Sequence, residues 1–115
     1  MKKILACTAA GLFFGIAVVL TTSAKESEYG QGKKLYGSHC QICHGEKGDG
    51  KGPAASALSP TPADFAKPTF WEGDVDKKIT DTILHGHGPM PAFNLKPDEI
   101  KAIIDYMAHT FRKAK

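Results

Sequence analysis

The chain has 115 residues, enough for one small domain and no more. It carries 15 Lys and Arg against 12 Asp and Glu, a net charge of +3. The lysines alternate with acids and form no basic stripe, which excludes a nucleic-acid-binding surface.

Lys2 and Lys3 make a short positive start, and residues 4–20 follow without a charge. Thr22-Ser23-Ala24 then offers the small residues that a signal peptidase reads, so residues 1–24 are expected to be an export signal. The uncharged run is long for a signal core and slightly short of the roughly 20 residues that span a bilayer. A retained membrane anchor is therefore the alternative. Cys7 lies at the start of that run rather than after it, so it does not mark a lipoprotein site. Cleavage would remove two lysines and leave Cys40 and Cys43 as the remaining cysteines, in a chain expected to reside in the periplasm.

Residues 25–29 read as a polar linker and residues 30–115 as the domain. Residues 30–40 read as a short helix, with Leu35, Tyr36 and Ile42 on its apolar side. A helical Gly such as Gly32 costs about 1 kcal/mol against Ala, so it marks a close approach. From residue 45 to residue 73 the chain is rich in Gly and Pro with little periodicity, and a loop of that length in a small domain is expected to wrap something. Residues 75–84 read as a helix with Val75, Ile79, Thr82 and Ile83 on one face, ended by Gly86 and Gly88. Pro89-Met90-Pro91 makes a stiff loop. Pro97 suits the first position of a last helix, with Asp98 and Glu99 in its first turn. Ile100, Ile103, Ile104, Met107 and Phe111 give that helix an apolar stripe, and Arg112, Lys113 and Lys115 suit its C-terminal end. No strand pattern and no internal repeat is present. The expectation is an all-α fold of three to four short helices joined by long loops. A core so thin needs a staple.

Cys40-Gln41-Ile42-Cys43-His44 is the C-x-x-C-H signature of covalent c-type haem attachment. Two thiols three positions apart lie on one side of a helical turn and reach two vinyl groups of one haem, while the next residue offers an imidazole to the iron. A redox disulfide would want a βαβ context, which is missing. A zinc site would need a second ligand pair. One covalent haem c is therefore the expected cofactor, and it would also be the staple.

The chain resembles the bacterial class I cytochromes c, the small monohaem periplasmic group. The resemblance rests on Gly32 and Tyr36 before the haem motif, on the run from Cys43 to Gly50, and on Gly50 to Pro53. Met90-Pro91-Ala92-Phe93 and a C-terminal helix bearing Tyr106 complete it. It implies a cytochrome c fold in which the first and last helices cross near Gly32 and Tyr106, and a loop that delivers a second axial ligand. It also implies that the Pro53 carbonyl accepts the second ring N–H of His44.

A low-spin haem holds its iron on both faces, commonly by His and Met. Met107 falls on the apolar stripe of the last helix and reads as core. Met90 lies on no stripe and is flanked by two prolines that stiffen its loop, so His44 and Met90 are expected as the axial pair. His85 and His87 are the rivals, although a helix end explains both. His39 and His109 read as surface residues, and Tyr36 and Tyr106 as helix contacts. Trp71 is a candidate donor to a haem propionate, with packing as its alternative. With both iron positions filled, no site is left for a substrate. The expected role is that of a monomeric, non-enzymatic one-electron carrier meeting redox proteins by transient contact. A five-coordinate sensor or peroxidase follows if Met90 does not ligate. A haem-bearing module of a larger membrane redox complex is the other alternative.

Overall fold

A computed structural model of the chain describes Gly11 and residues 23–113. The expected signal, residues 1–24, lies outside the described residues apart from Gly11, Ser23 and Ala24. Four α-helices follow one another: α1 (Ser23–His39), α2 (Gln41–His44), α3 (Val75–His85) and α4 (Pro97–Phe111). Single 3-10 turns occur at Ala55–Ala57 and Pro68–Trp71, and among the described residues there is no strand. The fold is all-α.

The crossing of α1 and α4 organises the core. A Cβ at Gly32 would run into the Ala102 carbonyl and lie 2.8 Å from the Tyr106 Cβ, so only glycine lets the two helices meet this closely. Tyr36, one turn further along α1, is 1% exposed. Its ring lies 5.4 Å from that of Tyr106 and 5.2 Å from that of Phe111. The whole predicted stripe of α4 is buried: Ile100, Ile103, Ile104, Met107 and Phe111. Its start is held by Pro97 in the first turn and by the Lys96 N–H donating to Glu99 Oε2 at 2.8 Å. In α3, Asp74 accepts the Lys77 N–H at the N-terminus, while Val75, Ile79 and Ile83 face the core. Gly86, at φ +75°, ends the helix and donates its N–H to the Thr82 carbonyl at 2.8 Å.

Two sequence expectations are corrected. Residues 25–29 are not a linker but part of α1. They are drawn into the helix because its early turns have partners on α4: Glu28 pairs with Lys101 at 2.5 Å, and the Tyr29 ring lies 5.3 Å from those of Tyr106 and His109. Ile42 does not join the apolar side; it is 59% exposed, because α2 turns its Cys and His side chains inward instead. Among the described residues no helix is long and apolar enough to cross a membrane.

Candidate haem site

The backbone around the motif is closed locally. The Cys43 and His44 N–H groups both bond to the Cys40 carbonyl, at 3.2 and 2.9 Å. The following chain then reverses onto α2: Gly50 N–H bonds to the His44 carbonyl, Gly52 N–H to Cys43, and Ala54 N–H to Ile42, at 2.9 to 3.0 Å. A Cβ at Gly52 would lie 2.7 Å from the Gln41 carbonyl oxygen, so a side chain there would push the loop off the motif. Phe65 N–H returns to the Gly48 carbonyl at 2.6 Å and closes the wrap. The long Gly/Pro-rich segment is therefore a loop laid over α2, where its composition had implied only that it wraps something.

Inside the wrap lies a cavity of about 400 Å³. Cys40 lines it from the junction of α1 and α2, Cys43 and His44 from α2, Ile79 and Ile83 from α3, and Ile103 and Met107 from α4. Phe65 and Phe70 close it from the loop, and Met90 and Phe93 enter from the loop between α3 and α4. The turn carrying Met90 is fixed by reciprocal backbone bonds between His87 and Met90, each 3.0 Å, and by Phe93 N–H donating to the Ile83 carbonyl at 2.7 Å. Gly86 and Gly88, at φ +75° and +54°, permit that tight path.

His44 is buried, and its Nδ1 lies 3.1 Å from the Ala63 carbonyl oxygen. Its ring stacks on Phe65 at 4.4 Å. Burial lowers its pKa below the ordinary histidine range, against a smaller raising effect of the Ala63 contact. The ring is thus held neutral, the form that ligates iron. Burial, with Cys43 adding to it, pushes the Cys40 thiol up to about 12. Reactive redox cysteines have depressed pKa values, and burial moves this thiol in the opposite direction. Neither cysteine is in a disulfide, and among the described residues no three His, Cys, Asp or Glu side chains gather to hold a metal ion.

Two expected partners are replaced. Ala63, not Pro53, takes the His44 ring nitrogen. Pro53 is exposed, because the bonds of Gly52 and Ala54 to α2 lay that segment along the motif's backbone. Trp71 is buried and donates its indole N–H to the Phe65 carbonyl at 2.8 Å, which favours the packing alternative over a propionate contact. Met107 is core, as its stripe implied, although one side lines the cavity. Of the rival histidines, His85 is exposed and its Nδ1 lies 3.0 Å from the Asp81 carbonyl oxygen, outside the lining; His87 lines the cavity beside Met90. His39 also lines it and packs edge-on against Phe93 at 5.5 Å. Ala63, Phe65 and Lys78 carried no sequence signal: two sit in the aperiodic loop, and Lys78 looks like any solvated helix lysine.

The donor set fits a haem. Two thiols and a neutral imidazole stand together on one turn, a thioether stands on a braced loop, and the space between is walled by Ile, Phe and Met side chains. An all-α fold wrapped around such a site defines a class I-like c-type cytochrome domain. The chain belongs to the family described as cytochrome C oxidase, cbb3-type, subunit III, whose model matches residues 27–107. Membership implies haem-based electron transfer with haem c as cofactor. Among solved structures, the fold is similar to a chain of the Kuenenia stuttgartiensis reducing HAO-like protein complex Kustc0457/Kustc0458. The TM-score is 0.56 and the identity 24%, over 70% of this chain and 41% of that one. The present chain thus spans less than half the length of that relative. No curated protein matches the chain.

Proposed function

We propose that the chain is an exported one-electron carrier with a single haem, bound through thioethers to Cys40 and Cys43 and ligated by His44 and Met90. The observation that carries this reading is the shared cavity lined by the motif and by Met90. The bound group would supply an iron that cycles between two oxidation states. The protein's part is to hold and shield. Ala63 fixes the His44 ring, which sets its orientation and basicity. The His87–Met90 turn restrains the thioether before any bond to iron is made. Phe65, Ile79, Ile83, Ile103 and Met107 exclude water, which keeps the ligand sphere little changed between the two states. Met ligation is expected to raise the potential.

The test is spectroscopic. The oxidised protein should show the weak sulfur-to-iron charge-transfer band at the red end of the visible range, and Met90→Ala should lose it and bind carbon monoxide when reduced. A wild type that lacks the band contradicts the ligand assignment. A Met90→Ala variant that stays low-spin transfers the role to His87. Mass spectrometry of periplasmic protein reads both the single covalent haem and cleavage after Ala24.

A second reading is favoured by the family, whose description names an oxidase subunit. The chain would then be a haem-bearing module of a membrane redox complex, anchored by residues 4–20. Recovery of the full-length chain in the membrane fraction, with a co-purifying complex, would select it over the soluble carrier.

A further inference from the structure

The cavity lining is almost wholly apolar, yet it contains one full cation. Lys78 is the one Lys or Arg among the described residues that line it, and no Asp or Glu lines it at all. Lys78 has no ion-pair partner among the described residues. Its Nζ stands 5.3 Å from the centre of the Phe70 ring, which also walls the cavity. Its neighbour Lys77 is engaged differently: it pairs with Asp81 on the exposed side of α3 and does not reach the lining. Thr82, the adjacent polar residue of the lining, donates its hydroxyl to the Lys78 carbonyl at 2.8 Å and so has no proton to offer a ligand. The Trp71 indole N–H is committed to Phe65.

A haem brings two carboxylates on the edge of the ring away from the vinyl groups that meet the cysteines. Here Cys40 and Cys43 occupy the α1–α2 wall, while Lys78 and Phe70 occupy the wall built by α3 and the turn before it. We propose that Lys78 is the propionate-binding residue of this chain, a point charge steered by the Phe70 face toward a haem carboxylate. This rests on the haem reading above. A cation there partly neutralises the propionate and opposes the positive charge gained when the iron is oxidised, so it holds the midpoint potential up.

The experiment compares midpoint potentials of the haem-loaded full-length protein as wild type, Lys78→Gln, Lys78→Arg and Lys77→Gln, at low and high salt. Lys77→Gln removes the same charge one residue away on the same helix. Lys78→Gln should lower the potential several-fold more than Lys77→Gln, and the difference should shrink at high salt. Lys78→Arg should retain most of the wild-type value. Equal shifts in the two Gln variants, or none in Lys78→Gln, overturn the assignment while leaving the haem reading intact. A wild type without covalent haem overturns both.

Discussion

Met90 and Tyr36 show how single side chains prepare this site from different distances. Met90 would touch the iron itself, and its loop is braced by the backbone bonds between His87 and Met90 as well as by the flanking prolines. Tyr36 acts through the backbone behind the motif. Its hydroxyl donates to the Gly45 carbonyl at 2.8 Å, directly after His44. Burial, with smaller help from Cys40, Tyr106 and Asp49, raises its pKa, so the proton stays available to donate. The same carbonyl also accepts the Gly48 N–H at 3.1 Å, so removing the hydroxyl does not orphan it. Tyr36→Phe should therefore cost about 1 kcal/mol, the net worth of one hydrogen bond, rather than the larger penalty of an unpaired buried group. Chemical denaturation of the haem-loaded variant measures this. An unchanged midpoint would mean that Gly48 alone holds the turn.

At the scale of elements, the crossing of α1 and α4 is the joint on which the site hangs, since α1 leads directly into the motif. Gly32→Ala would gain about 1 kcal/mol of helix propensity. It would also press a methyl into the Ala102 carbonyl, and overpacking of this kind costs roughly 1–3 kcal/mol or more where backbone must move. The net expectation is a lower melting temperature, read by circular dichroism; a more stable variant would show that the helices can part without loss. A close approach at Gly32 was legible from a glycine inside a helical pattern, while the crossing of the first and last helices there was what the resemblance to class I cytochromes c implied. The periodic stripes of α3 and α4 were legible for the same kind of reason: burial on one face leaves a mark at a fixed spacing. What escaped was set by contacts between distant segments. Residues 25–29 are polar enough to pass for a linker and become helix through Glu28 and Tyr29 meeting α4. The carbonyl facing His44 belongs to Ala63 because the loop is laid back over α2 by backbone bonds, and backbone bonds carry no residue identity. Trp71 was ambiguous for a related reason: its partner, the Phe65 carbonyl, is again a main-chain group.

The whole molecule is built around a space that its own side chains do not fill. Core residues from α3 and α4, among them Ile79, Ile83, Ile103 and Met107, contribute to the lining of the 400 Å³ cavity as well as to the core. That lining is mostly apolar, so without a bound group it meets no partner and its burial adds nothing to stability. A small domain has a net stability of about 5–15 kcal/mol, so the apolar contacts that a bound group would make with this lining are a large share of it. Direct contacts among the helices are dominated by the α1–α4 joint, and the loop of residues 45–73 has no regular structure beyond two 3-10 turns to hold it alone. The prediction is that Cys40→Ala/Cys43→Ala protein, purified free of haem, keeps some helical signal from α1 and α4 but melts without a cooperative transition. The attached wild type should melt in one sharp step. Far-ultraviolet circular dichroism and calorimetry on both proteins decide this. A sharp heat-absorption peak from the haem-free variant would mean that the loops collapse into the cavity and that α1 and α4 suffice as a core.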